Sequence, residues 1–480
     1  MIRIQNYVNG EFLNSTSNDI IDDINPATGE KIATIPRSVS NDIQLAVNAC
    51  EKSNPSWSKL TINKRAEWLE KIANELERRF EEIAKLESID TGKPISLARS
   101  VDATRSVSNF RFFAKLAKGV EKTQFEMNDA MNLVINKPVG IAGLITPWNL
   151  PLYLLSWKVA PALVMGNCII AKPSELTPLT ANLLAEVIHE IGLPKGVFNL
   201  IHGYGHECGQ ALVEHSNINL ISFTGGTSTG KIVAKTAAPM FKKLSLELGG
   251  KNATIILKDA DLNSNMENIV RSAFLNQGQV CLCGSRILVH ESIYPVFLEQ
   301  FLKSVSSMKM GNPLDENTQL GALISNNHLE KVESYIRLAK KEGGEIVYGG
   351  KRPKLNETFV NGAFLEPTVI IGLDHNSRTA TEEIFGPVVT IHSFNEIEEA
   401  INIANCTKYG LAASIWTQDT TLGESIAKRL DTGMVWINCW LHRDLRVPFG
   451  GVKNSGVGRE GGLYSLQFFS ELQNICTMYD

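Results

Sequence analysis

Three features of the sequence predict an α/β fold built on two parallel sheets. Between residues 139 and 249, short apolar runs alternate with longer stretches of helical periodicity. A second series of the same kind fills residues 253–440, and Gly249-Gly250 separates the two. Such alternation builds parallel sheets, because a chain returning to the same edge in the same direction needs a crossover long enough for a helix.

The elements follow in chain order. Leu69, Ile72, Leu76, Phe80 and Ile83 recur every three or four residues among Glu, Arg and Lys, which predicts an amphipathic helix over 63–88. A second helix is predicted over 101–118. The run from Ile141 to Ala171 is the most apolar in the chain. It carries Lys158, Asn149 and Asn167, with prolines at 147, 151 and 161, so it cannot be one membrane-spanning helix. It divides into a strand (VGIAGLIT), a helix ending at Gly166 (LLSWKVAPALVMG) and a strand (NCIIAKPS). A helix (LTANLLAEVIHEIG) and three strands (FNLIHG, NLISFTG, KLSLELGG) complete the first series. The second runs from ATIILKD to MVWIN. Residues 120–138 and roughly the last 15 fit neither series, and they read as strands that pair outside both.

Composition narrows the function classes. The chain has 480 residues, room for two or more domains, and 43% apolar with 20% charged residues is the balance of a globular protein. Against 47 basic residues stand 51 acidic ones, so no clustered basic excess marks a nucleic-acid partner. The first residues, MIRIQNYVNGEFLN, lack the apolar core of a signal peptide. Eight scattered cysteines in so long a chain imply free thiols and a cytoplasmic, reducing setting, not a disulfide framework.

Three patterns mislead. GGTSTGKI (Gly225 to Ile232) resembles a phosphate loop, but Ile232 stands where a magnesium-binding hydroxyl is required. The stretch Gly203 to Gly209 imitates a dinucleotide fingerprint with one residue too many before its last glycine, so a structural turn is expected. His442-Arg443-Asp444-Leu445 copies the start of a kinase catalytic loop, yet Phe449 replaces the required asparagine.

The chemistry-bearing candidates are Cys281, Glu247 and Asn149. A cysteine is ordinarily a small buried apolar residue. Cys281 lies in NQGQVC, where Gly278 lets backbone come close to a ligand. Cys283 makes a C-x-C pair with it, but two cysteines without a second cluster make a poor zinc site, so no metal is expected. Glu247 precedes the glycine pair, where a plain surface charge is the ordinary alternative. Asn149 sits between Pro147 and Pro151 at the C-terminal end of a predicted strand, the end at which open α/β sheets collect ligands.

Eight segments in order (PATGE, ITPWNLP, AKPSELTP, FTGGTSTG, LELGGKN, NQGQVCLCGSR, EEIFGPV and PFGGVKNSGVGREGG) resemble the aldehyde dehydrogenase superfamily over nearly the whole chain. The resemblance implies a Rossmann-like NAD-binding domain over 1–119 and 139–249, and a second α/β catalytic domain over 250–446. It also implies a small β oligomerisation element from 120–138 and 465–480, building a homodimer or homotetramer. By motif, Cys281 matches the nucleophile, Glu247 the general base and Asn149 the oxyanion donor. Lys172 and Glu175 match the adenosine-ribose contacts, and Gly225, Gly226 and Gly230 the turn under the pyrophosphate. Glu383 and Phe385 match the nicotinamide-ribose contacts, with Trp148 walling the cofactor cleft. The family often has Ser where this chain has Gly226, so a hydroxyl contact to phosphate is lost. The acidic Glu175 implies NAD as cofactor, because it would repel the extra phosphate of NADP.

Within the family, SVDATRSVSNFRFFA, NLPLYLLSWK, NQGQVCLCGSR and NCWLHRDLRVPFGG resemble the 2-aminomuconic and 2-hydroxymuconic semialdehyde dehydrogenases. Their substrates carry a carboxylate far from the aldehyde, and arginine suits it through paired hydrogen bonds. Arg105 and Arg443 match the subgroup's clamping arginines, with Arg111 and Arg446 as weaker candidates, while His442 reads either as acting on the hydroxyl or amino end of the substrate or as packing. The alternatives are another aldehyde, such as betaine aldehyde, retinal or an aliphatic one, or a non-catalytic binding protein.

Overall fold

The apolar runs of the first series, Ile141–Ile145, Cys168–Lys172, Phe198–Leu200, Leu220–Thr224 and Lys243–Glu247, are strands in the computed structural model of the chain, which describes residues 2–120 and 122–479. All five run parallel. Apart from Lys243 and Leu244 and two strand ends they are buried, as expected of a sheet covered on both faces. Gly456–Val457 extends this sheet beside Lys243–Glu247. Asn6–Val8 and Glu11–Leu13 extend the other edge, making eight strands.

Ile141–Ile145 lies between Cys168–Lys172 on one side and Leu220–Thr224 on the other. The chain winds outward from it in one direction, then returns and winds in the other. A crevice therefore opens between the loops that follow Ile141–Ile145 and Leu220–Thr224, where dinucleotides bind in such sheets.

The second series forms a seven-stranded sheet. Its order is Glu345–Tyr348, Thr368–Ile371, Val388–Phe394, Arg286–His290, Ala253–Ile256, Ala412–Trp416 and Met434–Ile437. Only Glu345–Tyr348 runs antiparallel to its neighbour. Leu248 to Asn252 links the two sheets, joining the C-terminal end of Lys243–Glu247 to the N-terminal end of Ala253–Ile256 and so setting the C-terminal ends of the first sheet against the N-terminal ends of the second. Outside both, Ala130–Pro138 pairs antiparallel with Thr123–Glu126 and with Ser470–Met478. A further small sheet, Ile2–Arg3, Lys31–Pro36 and Ile20–Ile24, has no counterpart in the sequence reading.

Two helices differ from expectation. The helix expected over 63–88 is two, Ile62–Arg78 and Phe80–Thr91, broken where Arg79 leaves helical geometry (φ −95°, ψ 20°). Its guanidinium donates to Glu82 and Glu186, each at 2.8 Å. The apolar stripe crosses the break unchanged, which is why periodicity alone joined the two. The helix expected over 101–118 starts earlier, with an α-helical turn at Ile95–Leu97, passes through a π-turn, Ala98–Ala103, and is α-helical again over Thr104–Ala117. Among the described residues no helix is long and apolar enough to cross a membrane.

Candidate active site

Asn149 is held from every side. The chain leaves Ile141–Ile145, and Pro151 opens the next helix at its first turn, where a missing N–H costs nothing. Asn149 is 4% exposed, and its side-chain amide donates to the Gln279 carbonyl at 2.9 Å. One amide hydrogen remains for a ligand. The Asn149 carbonyl accepts from Asn276 Nδ2 at 3.1 Å and from Lys93 Nζ at 3.0 Å.

Cys281 is delivered by an unusual loop. Asn276, Gln277 and Gly278 all take left-handed backbone conformations (φ 53°, 55° and 70°), costly for the first two residues and held by surrounding bonds. Gln277 Nε2 donates to the Ala322 carbonyl at 2.8 Å, and Gln279 Oε1 accepts from the Ile324 N–H at 3.0 Å. Gly278 must be glycine, since a Cβ there would collide with the Gly386 carbonyl. Asn252 Nδ2 donates to the carbonyls of Cys281 (2.7 Å) and Cys283 (2.9 Å), fixing the following turn. Cys283 is buried in the core of the second sheet, whereas Cys281 faces the cavity, so the two do not form one ligand pair.

Glu247 ends its strand inside the protein rather than on the surface, 4% exposed, with neither carboxylate oxygen hydrogen-bonded among the described residues. Burial, then the nearby Glu460, pushes its pKa well above the carboxylate range, against Lys158, Arg443 and Arg459. Lys158 Nζ, fully buried, pairs with Glu460 at 2.5 Å and donates to Ser222 Oγ at 2.8 Å. Gly450 leaves room for the Glu247 carboxylate: a Cβ there would lie 2.9 Å from Oε1.

The Cys281 thiol is held away from the ordinary thiol value. Burial, then Glu383 and Glu247, pushes it up to about 12. Iodoacetamide labelling of the cofactor-free protein should therefore be slow at pH 7 and climb about tenfold per pH unit beyond pH 9. A plateau below pH 9 in a stopped-assay titration would contradict this enclosure.

One cavity of about 600 Å³ joins these groups. At one end lie Gly225 and Gly226, opening the helix Thr227–Ala237, with open space beside Gly226. Backbone N–H groups at a helix start suit phosphate. Farther out, Lys172 donates to Glu175 at 3.0 Å. Trp148 meets Phe385 edge-on at 5.3 Å, and Glu383 accepts from the Gly250 N–H at 3.0 Å. The glycine-floored crevice thus fits a dinucleotide. Gly230 does not line it. It is buried within the helix, where a Cβ would come 2.5 Å from Leu248, so it serves helix packing and not the phosphate turn.

At the other end the wall carries Arg105 and Arg443, and neither makes an ion pair among the described residues. The Arg443 guanidinium lies over Phe449 (4.2 Å) and Trp157 (4.9 Å) and donates to the Tyr153 hydroxyl. The weaker candidates fall away. Arg111 pairs with Glu77 on the surface, Arg446 pairs with Asp444, and His442 is exposed outside this cavity. Sequence reasoning missed Tyr153, Trp157 and Lys93. The first two read as core in an apolar helix, and Lys93 as one lysine among many. His328 was also missed; its Nε2 donates to the Phe385 carbonyl at 2.7 Å.

A thiol, and a carboxylate without a hydrogen-bond partner among the described residues, line one cavity where a dinucleotide-type crevice abuts a second α/β sheet. The chain belongs to the aldehyde dehydrogenase family, whose model matches residues 12–475. It is 46% identical to the 2-aminomuconic semialdehyde dehydrogenase of Mus musculus, covering 100% of this chain and 99% of that one. Identity to the 2-hydroxymuconic semialdehyde dehydrogenase of Pseudomonas sp. (strain CF600) is 43%, covering 99% of each. Among solved structures, betaine aldehyde dehydrogenase from Staphylococcus aureus in complex with NAD+ superposes with a TM-score of 0.96 at 39% identity, covering 98% of this chain and 94% of that one.

Proposed function

We propose that this enzyme uses NAD to oxidise an unsaturated six-carbon semialdehyde with a distal carboxylate, of the 2-aminomuconic or 2-hydroxymuconic kind, to the dicarboxylic acid. The observation that carries this reading is the pair of arginines on the cavity wall, Arg105 and Arg443, that make no ion pair among the described residues. A cationic substrate such as betaine aldehyde fits poorly, because the aromatic faces that would cradle it are covered by Arg443.

Cys281 is the nucleophile. As its sulfur bonds to the aldehyde carbon, the thiol proton passes to Glu247 and the carbonyl electrons move to oxygen. The Asn149 amide and the Cys281 N–H stabilise that oxyanion, each donor contributing on the order of 3 kcal/mol. NAD bound in the crevice supplies the hydride acceptor. Loss of hydride from the same carbon leaves a thioester on Cys281. Once Glu247 has released the first proton to solvent, it takes a proton from water as the water attacks the thioester, and it returns that proton to sulfur as the carbon–sulfur bond breaks to release acid and thiol. At the cofactor end, Lys172 and Glu175 hold the adenosine ribose, Gly225 and Gly226 the pyrophosphate, and Glu383, Phe385 and Trp148 the nicotinamide half.

The reading extends to assembly and setting. Phe125, Leu472 and Met478 are 58%, 70% and 64% exposed on the small antiparallel sheet, apolar surface that suits a second copy in a homodimer or homotetramer. All eight cysteines are free, as suits the cytosol.

Arg443→Ala tests the substrate. A charge-assisted pair to a carboxylate is worth about 1.5–3 kcal/mol, so kcat/KM for freshly prepared 2-hydroxymuconic semialdehyde should fall about 10- to 100-fold, with simple aliphatic aldehydes little changed. Wild-type preference for aliphatic or betaine aldehyde, with no effect at Arg443, would leave the Cys281 chemistry standing and sink the substrate assignment.

A further inference from the structure

Behind the site lies a cluster of buried charges that the chemistry above does not use. Glu87, Lys93 and Asp102 are each fully buried. Lys93 Nζ lies 2.8 Å from Asp102 Oδ2 and 3.6 Å from Glu87 Oε2, and it donates to the Asn149 carbonyl at 3.0 Å. Glu87 Oε1 accepts from the Leu152 N–H (2.9 Å) and the Thr180 hydroxyl (2.7 Å). Asp102 belongs to the π-turn Ala98–Ala103, immediately before the helix that carries Arg105. One ammonium therefore joins the Asn149 turn, the start of the following helix and the segment leading to Arg105.

Filler in an apolar interior needs no charge, and an ammonium taken out of water is costly unless every donor is used. Here two donors are used, on the Asp102 carboxylate and one chosen carbonyl, and the ammonium faces Glu87 Oε2 as an ion pair at 3.6 Å. That carbonyl belongs to the residue whose side chain faces the reacting centre. Its amide is held on the other side by Gln279, so Asn149 is clamped through both backbone and side chain. Oxyanion donors act only when fixed within a few tenths of an ångström, and misplacement by about 1 Å costs on the order of 100-fold in rate.

We propose that Lys93 is a positioning residue for oxyanion stabilisation: by pinning the Asn149 carbonyl it fixes the Asn149 amide against the developing charge. The proposal rests on the reading of Asn149 as an oxyanion donor. Lys93 touches neither substrate nor cofactor, so its effect must pass through Asn149.

The test measures the burst rate of first-turnover NADH formation in the full-length enzyme with saturating NAD. The variants are Lys93→Gln, the double variant Lys93→Met/Asp102→Asn, Asn149→Ala, and Asn149→Ala combined with Lys93→Gln. The Lys93→Met/Asp102→Asn pair removes one charge of each sign and leaves Glu87 held by Leu152 and Thr180, which protects the fold. NAD affinity and iodoacetamide labelling of Cys281, which needs no oxyanion hole, serve as controls. The Lys93 variants should slow the burst about 10- to 100-fold with both controls unchanged, and Lys93→Gln should add less than about threefold on the Asn149→Ala background. A wild-type burst in either folded Lys93 variant overturns the proposal. So does a loss that multiplies in full on Asn149→Ala, or an equal loss in labelling. A wild-type burst in Asn149→Ala alone overturns it differently, by removing the donor role on which it rests.

Discussion

Cys281→Ala should abolish aldehyde oxidation, lowering kcat by about 10⁴-fold or more, while NAD still binds with near wild-type affinity. The size of the loss follows from the chemistry. Without sulfur there is no covalent adduct, and the hydride must come from an aldehyde hydrate that is not tethered to the protein. Binding should persist because the crevice is built elsewhere, from the ends of the strands Ile141–Ile145 and Leu220–Thr224 and the helix Thr227–Ala237. Stopped-flow NADH formation and cofactor titration separate the two. A variant that keeps a tenth of the wild-type rate would rule out the thioester route, whatever the substrate.

Glu247→Gln should slow steady-state turnover by about 10²- to 10⁴-fold and leave Cys281 acylated. Glutamine cannot take a proton from the attacking water, so the thioester should persist, visible as an acyl mass on the peptide containing Cys281. Free enzyme with no accumulated acyl group during turnover would place the slow step before the thioester and assign Glu247 to thiol activation alone. The same carboxylate sets a pH dependence. Burial and Glu460 raise its pKa, so the basic form grows as pH rises, and deacylation should speed up toward alkaline pH. Glu460→Gln removes a like charge while Lys158 remains beside the site, so this rising limb should move to lower pH. An unmoved limb would detach it from Glu247.

Much of this was legible in sequence for local reasons. Each of the five parallel strands of the first series has its own apolar run, because parallel strands covered on both faces have no polar side to show, whereas the antiparallel edge strands Asn6–Val8, Glu11–Leu13 and Gly456–Val457 have none. Cys281, Glu247, Asn149 and the glycines at 225 and 226 lie in segments whose order along the chain carried the family resemblance. Gly230 shows the limit of motif transfer. It sits in the right segment but faces Leu248, since the helix has turned away from the crevice by that residue. The break at Arg79 was hidden because an apolar stripe survives a one-residue interruption. The π-turn at Ala98–Ala103 has no periodicity of its own to betray it.

By itself the sequence determined the two α/β series, the candidate reacting groups and the presence of arginines suited to a carboxylate. Which arginines face the cavity was decided only by the tertiary structure. Arg111 and Arg446 have the same chemistry as Arg443, but each has an acidic neighbour on the surface, while Arg443 is stacked among Tyr153, Trp157 and Phe449. The enclosure that raises Cys281 and leaves Glu247 without a partner was likewise settled by folding, as was the contact of Lys93 with Asn149. The physical reason is the same in each case. Residue type fixes what a group can do. Desolvation and the nearest charge fix what it does, and for Arg443, Cys281 and Asn149 both come from segments far along the chain.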